Sequence, residues 1–291
     1  MKISFIGLGR MGWHMAGHLA DRGHELTVYD PSDRATKTWA SRFSGTVSAT
    51  LASACANAEV VLTALPADAQ LQQVWDTCLE YLAPGTIWVD HSTTSAQIAR
   101  ELSAKGKAQM VSFMDAPVSG GTVGAEKGSL TIMGGGDETA WLKIQPIIEC
   151  YASKTTWLGS SGAGQLTKMA NQICVAGIGQ ALAEGLAFAE REGLDTKQVL
   201  EVMRKGSSTS WMMENRSEAM LNSEYNFGFS STLMKKDLGL VLQEAQQLGM
   251  PLPVTEIVAQ LLDQLSTVAD PSWDWCSLME QQRQAHQKNE P

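Results

Sequence analysis

Gly7-Leu8-Gly9-Arg10-Met11-Gly12 follows a five-residue apolar run and opens a helical pattern. In that setting the three glycines have separate tasks. The first makes a tight turn, the second lets the backbone approach a pyrophosphate, and the third lets helix and strand pack closely. The phosphates would then face the positive end of the helix. Without a ligand, the same residues make only a glycine-rich turn. Asp30 ends the next strand-like run, where a carboxylate can accept from both ribose hydroxyls and repel a 2′-phosphate. That favours NAD over NADP. Asp30-Pro31-Ser32-Asp33 is also good turn and N-cap chemistry, and Arg34 keeps a route to a 2′-phosphate open, so NADP stays possible.

A dinucleotide loop names no reaction. A Tyr-x-x-x-Lys pair is absent, because none of Tyr29, Tyr81, Tyr151 and Tyr225 has a lysine four residues on. No Cys/His cluster offers zinc ligands, so no metal is expected. His14, His18, His24 and His91 lie in the first half and His286 in a polar tail, which leaves histidine acid/base chemistry without a placed partner. What remains is Lys168, within Gly162-Ala163-Gly164-Gln165-Leu166-Thr167-Lys168-Met169-Ala170-Asn171. Lys168 and Asn171 are three apart and share a helix face. The alternative is a lysine snorkelling from a helix edge.

The elements that must position these residues have two textures. Strand-sized apolar runs at 2–6, 25–29, 60–65, 87–89 and 111–114 alternate with helical patterns at 11–22, 35–42, 69–81 and 95–104. That alternation is the signature of a parallel, doubly wound α/β sheet, with runs at 130–133 and 155–158 available as edge strands. After about residue 162 the strand signals stop. One long helix is expected at 165–192, then others at 196–205, 232–248 and 254–268, with Gly193-Leu194-Asp195 and Gly249-Met250-Pro251 as stop and start signals. The expected architecture is a Rossmann-type α/β domain at 1–162 and an all-α domain at 163–291, joined by a long interdomain helix. Small residues from Ala176 to Ala187 would let other elements approach that helix, and its apolar character predicts a homodimer or homotetramer. The tail from about Gln281 reads as loose.

The 291 residues are 44% hydrophobic and 18% charged, which excludes a disordered chain. A net charge of -9 excludes a nucleic-acid partner in the absence of a basic patch. No apolar stretch is expected to reach the ~18 residues of a membrane span. The start runs directly into the glycine loop, so no signal peptide is expected. Five widely spaced cysteines read as reduced, buried thiols, and a cytoplasmic location follows.

Four motifs, in order, carry a resemblance to the β-hydroxyacid dehydrogenase family, which includes 3-hydroxyisobutyrate dehydrogenase and tartronate semialdehyde reductase. They are Phe5 to Gly12; Asp115-Ala116-Pro117-Val118-Ser119-Gly120-Gly121; Gly162-Ala163-Gly164 through Lys168 and Asn171; and Lys236-Asp237-Leu238. Together they span the chain. The resemblance implies NAD(P)-dependent interconversion of a small 3-hydroxy acid and its semialdehyde or 3-oxo acid, with Lys168 as acid/base and Asn171 orienting the substrate. It implies that Ser119, Gly120 and Gly121 hold the substrate carboxylate, that Lys236 lies beside nicotinamide and substrate, and that Leu65, Pro66 and Thr93 line the cofactor. The larger 6-phosphogluconate dehydrogenases share the motifs, but this chain lacks their extra helical length. Imine reductases of the same kind replace the lysine. The stretch 207–216 departs from both named enzymes: Trp211 is either a pocket wall or core, and Arg216 either binds a second carboxylate or caps a helix. The alternatives are a catalytically silent dinucleotide sensor and an NADPH-dependent semialdehyde reductase.

Overall fold

The computed structural model describes residues 1–267 and 269–287. The chain divides into two compact units, Met1–Lys168 and Met169–Pro291, with the division inside a helix.

In the first unit, β1 (Lys2–Ile6), β2 (Glu25–Tyr29), β3 (Thr46–Val47), β4 (Val60–Thr63), β5 (Ile87–Asp90) and β6 (Ser112–Asp115) form one sheet in the order β3-β2-β1-β4-β5-β6. Every pairing is parallel. The winding reverses between β1 and β4, and ligands of such sheets bind at the carboxyl ends of the strands beside that reversal. The crossovers use α1 (Gly12–Asp21), α2 (Asp33–Ala40), α3 (Leu51–Cys55), α4 (Asp68–Cys78) and α5 (Ala96–Ala108). Side chains alternate between two cores. Ile3, Phe5, Leu62 and Val89 enter one, while Ile6, Val61 and Trp88 enter the other. A sheet buried on both faces explains why its strands read as unbroken apolar runs. Ser32 accepts from the Ala35 N–H to start α2, and Ser95 from the Ile98 N–H to start α5.

The runs at 130–133 and 155–158 do not extend the main sheet. They belong to β8 (Leu130–Gly134) and β9 (Ala152–Trp157), which form a separate sheet with β7 (Val118–Ser119). The connecting helices α6 (Gly121–Glu126) and α7 (Glu138–Ile148) are absent from the sequence reading. Pro146 inside α7 disguises it, because a proline in the last turns still removes one N–H from the ladder.

α8 (Ala163–Arg191) starts in the first unit and runs into the second, which adds α9 (Thr196–Met203), α10 (Trp211–Asn222), α11 (Ser231–Gln247), α12 (Pro253–Leu265) and α13 (Leu278–Gln287). Val268, the last residue of the expected helix at 254–268, lies outside the described residues, as do residues 288–291 of the tail. The tail expectation is corrected up to Gln287. Arg283 on α13 grips both carboxylate oxygens of Glu190 on α8, at 3.1 and 2.6 Å, and its contacts to Glu280 and the Leu221 carbonyl hold the helix down. The small residues of α8 serve close packing at Gly179, where a Cβ would overlap the Trp275 ring. By length and composition alone α8 could cross a bilayer, contrary to the expectation, although half of its most apolar stretch is buried within the chain. All five cysteines are free thiols; Cys55, Cys78 and Cys276 are buried, but Cys174 is exposed, against the reading of all five as core.

Candidate active site

The glycine loop follows β1, and its glycines differ in what a side chain would meet. At Gly7, with φ +98°, a Cβ would strike the Ala64 carbonyl. At Gly12 it would strike the Gly7 carbonyl and come within 2.9 Å of the Phe5 ring. At Gly9 it would meet nothing within 4 Å. Gly7 and Gly12 are thus required by the fold, whereas Gly9 borders open space of the kind a pyrophosphate would occupy. No side chain caps the N-terminus of α1 at Met11, and Gly9 and Arg10 are exposed beside it. Leu8 is buried and anchors the loop.

Asp30 follows β2, and each of its oxygens accepts a backbone N–H. Oδ2 takes Leu8 and Oδ1 takes Ser32, both at 2.8 Å. Arg34, on the first turn of α2, is exposed. Leu65 and Pro66 follow β4, and the Leu65 N–H donates to Ser92 Oγ at 2.8 Å. Ser92 in turn donates to Asp90 Oδ1 at 2.6 Å, where Thr63 Oγ1 also donates at 2.7 Å. This largely buried network ties the loop carrying Leu65 to the one carrying Thr93. Burial pushes the Asp90 carboxyl up to about 7, with the Ser92 and Thr63 hydrogen bonds opposing the rise. The open loop, the uncapped helix and the strand-end acid fit a dinucleotide.

The neighbouring histidine does no acid/base work in this arrangement. His91 is buried between the Ala116 carbonyl (2.7 Å) and the Tyr151 hydroxyl (2.8 Å), and burial pushes it down to about 4. It is a neutral core group that donates from Nδ1 and accepts at Nε2.

Ser119 ends β7, and Gly120 and Gly121 follow with φ of +123° and +62°. No side chain caps α6 at Gly120. Both glycines thus hold backbone conformations that a residue with a Cβ rarely adopts.

Lys168 lies early on α8, buried at 8% exposure. The start of that helix is fixed by two residues without an assigned role so far. Asp115, buried at the end of β6, accepts from the Gly162 N–H at 2.8 Å and the Gln165 N–H at 3.0 Å. The Gln165 side chain accepts from the Thr94 N–H at 3.1 Å and donates to the Ser92 carbonyl at 2.8 Å. Gly164 leaves no room for a Cβ against Asp115.

In the second unit, Asn171 Nδ2 donates to Gln172 Oε1 at 2.9 Å, and Gln172 Nε2 donates to Asp237 Oδ2 at 2.7 Å. Lys236 Nζ lies 3.1 Å from Asp237 Oδ1, so its partner is a buried carboxylate and not a surface one. Trp211 opens α10 and is 54% exposed, which removes the core alternative. Arg216 is partnered within the fold. Its Nε is 3.5 Å from the buried Asp274, and its guanidinium lies about 5 Å from the Trp211 and Phe227 ring centres, at 5.0 and 4.9 Å.

Residues 2–159 match the NAD binding domain of 6-phosphogluconate dehydrogenase, and residues 162–281 match the NAD-binding domain of NADP-dependent 3-hydroxyisobutyrate dehydrogenase. The chain belongs to the β-hydroxyacid dehydrogenase family. An uncharacterized oxidoreductase of Shewanella frigidimarina is 43% identical over 96% of this chain and 97% of its own length. The NAD-dependent L-serine dehydrogenase of Pseudomonas aeruginosa is 33% identical over 89% and 90%. The solved 3-hydroxyisobutyrate dehydrogenase of Mycobacterium tuberculosis with L-serine superposes with a TM-score of 0.88 at 30% identity, covering 97% of this chain and 99% of that one. As a member of this family the chain is an NAD(P)-dependent hydroxyacid dehydrogenase, which leaves the silent sensor without support.

Proposed function

We propose that this β-hydroxyacid dehydrogenase interconverts a small 3-hydroxy acid and its semialdehyde or 3-oxo acid, prefers NAD, and uses Lys168 as the acid/base. The observation that carries the reading is a buried lysine on a helix whose first turn is locked by Asp115 and Gln165. Both the Pseudomonas relative and the Mycobacterium structure bear names that include L-serine, a 3-hydroxy acid, and this supports a substrate with a small group at C2.

The loop Gly7 to Gly12, Asp30, Leu65, Pro66 and Thr93 would hold the dinucleotide, with Lys236 beside its nicotinamide. When bound, the cofactor supplies the hydride acceptor. Ser119, Gly120 and Gly121 hold the substrate carboxylate with N–H groups and a hydroxyl. Asn171 orients the hydroxyl. As C–H becomes hydride, Lys168 Nζ takes the hydroxyl proton, so no free alkoxide forms; in reduction the same group returns it. A base so placed contributes typically 10²–10⁴-fold. Trp211, exposed on α10, is the candidate pocket wall.

The exposed apolar Ile178 and Phe188 on α8 and Val254 and Ile257 on α12 support assembly as a homodimer or homotetramer through the helical unit. Sedimentation at micromolar protein tests this, and a species of only ~31 kDa would defeat it. Free thiols support a cytoplasmic setting.

The deciding experiment is a panel of 3-hydroxy acids, L-serine and 3-hydroxyisobutyrate included, assayed with NAD and NADP on wild type and Lys168→Ala. Lys168→Ala should lose at least about two orders of magnitude in kcat with NAD affinity nearly unchanged. Lys168→Arg should rescue little, because guanidinium keeps its proton. Near-normal kcat in folded Lys168→Ala would remove the lysine from the mechanism.

A further inference from the structure

Gln165 is fully buried, and the mechanism above leaves it unused. Its side-chain amide takes the carbonyl of Ser92 and the N–H of Thr94, the backbone groups on either side of Thr93. A donor and an acceptor on one planar group fit those two partners in one orientation only; a flip would set N–H against N–H and oxygen against oxygen. Ser92 carries the connection onward. Its Oγ accepts the Leu65 N–H and donates to Asp90. The Gln165 N–H is meanwhile held by Asp115. The loop after β4, the loop after β5 and the first turn of α8 are therefore joined at Gln165. Lys168 is three residues further along α8, on the same side of the helix.

We propose that Gln165 is a positioning residue: by clamping Ser92 and Thr94 to the first turn of α8, it fixes Lys168 relative to the loop that carries Thr93. This rests on Lys168 as the acid/base. Proton and hydride leave the same substrate carbinol group, so the base and the cofactor-lining loop must keep a constant separation. A misplacement of about 1 Å is enough to cost 10²-fold. An apolar side chain at 165 could fill the space but would leave the separation unset.

The test uses the full chain as Gln165→Met, Gln165→Glu and Lys168→Ala, with the best 3-hydroxy acid of the panel and its C3-deuterated form. Gln165→Met should lose at least ~10-fold in kcat, keep NAD affinity within ~3-fold, and show a larger deuterium isotope effect as the chemical step becomes limiting. A protonated Glu can donate once and accept once, as the amide does. Gln165→Glu should therefore retain more of the wild-type kcat at pH 6 than at pH 9. A purely structural role would lower the melting temperature without moving the isotope effect or tilting that pH profile. If Lys168→Ala is inactive while Gln165→Met keeps wild-type kcat and isotope effect, the proposal alone is overturned. An active Lys168→Ala overturns the acid/base reading and the proposal together. Where Gln165→Met does not fold, the pH profile of Gln165→Glu decides, and a profile parallel to wild type counts against the clamp.

Discussion

The carboxylate of Asp30 accepts the Leu8 N–H at 2.8 Å, so the acid that closes β2 also fixes the turn of the glycine loop. Charge and loop geometry are thus held by one side chain, and substitutions can separate them. Asp30→Asn keeps an acceptor for Leu8, gives up the one for Ser32, and removes the charge that repels a 2′-phosphate. It should narrow the NAD to NADP ratio of kcat/KM by about tenfold or more, the scale of one charged contact. Asp30→Ala should lower kcat/KM with both cofactors. Steady-state kinetics with each cofactor checks this, and a wild type that already prefers NADP would refute the role and turn attention to the exposed Arg34.

Gly9 and Gly12 predict opposite phenotypes from the same substitution. At Gly12 a methyl would meet backbone and ring atoms that cannot withdraw. Gly12→Ala should lose about 1–3 kcal/mol, the usual cost of overpacking. At Gly9 the methyl enters open space, so Gly9→Ala should keep its melting temperature and bind NAD at least about tenfold more weakly. Melting curves with cofactor titrations decide, and equal stability losses in both variants would contradict the assignment.

Stability should fall with pH across neutrality because of Asp90. Burial pushes its carboxyl up to about 7, above the ~3.9 of an unfolded chain. The folded chain holds a proton that the unfolded one has released, so this contribution is complete below about pH 4 and lost as pH rises through about 7. His91 acts in the opposite sense. Its folded value of about 4 lies below the unfolded ~6.5, so its contribution is complete above about pH 6.5 and lost as pH falls through 4. Asp115, pushed up to about 6 by burial, acts in the same sense as Asp90, so the difference between wild type and Asp90→Asn is what reads Asp90. Between pH 6.5 and 8 the wild type should lose melting temperature relative to Asp90→Asn. Parallel slopes would place the titration elsewhere.

Arg216→Ala should reduce stability and leave the substrate KM within about twofold. Asp274 is fully buried and depends on Arg216 as its cationic neighbour, alongside the N–H groups of Phe229 and Cys276. Removing one partner of such a pair typically costs about 3–5 kcal/mol. A large KM change with unchanged melting temperature would restore Arg216 as a substrate ligand.

The sequence made β1, β2 and the central strands legible because a sheet covered on both faces leaves apolar runs bounded by turns. The glycine loop was legible because its requirements are local. Asp115 and Gln165 were not, since their partners are backbone groups 47 and 71 residues away, and a backbone N–H leaves no mark on composition. The DAPVSGG and GAGQ stretches that contain them stood out through neighbours with more familiar chemistry. The partner of Arg216 was not legible either, because its buried carboxylate lies far along the chain.

Asp115 has a consequence for the ancestry of the chain. The two family matches part between residues 159 and 162, as if two modules had been spliced there. Yet the carboxylate that ends β6 takes its donors from Gly162 and Gln165, on the far side of that junction. A first half ending at 159 would leave the Asp115 carboxylate without those two N–H donors, and a transplanted second half would have to bring a glycine where Gly164 leaves no space for a methyl. The seam between the modules is therefore shared property: neither half can be exchanged, shortened or evolved at that point without the consent of the other.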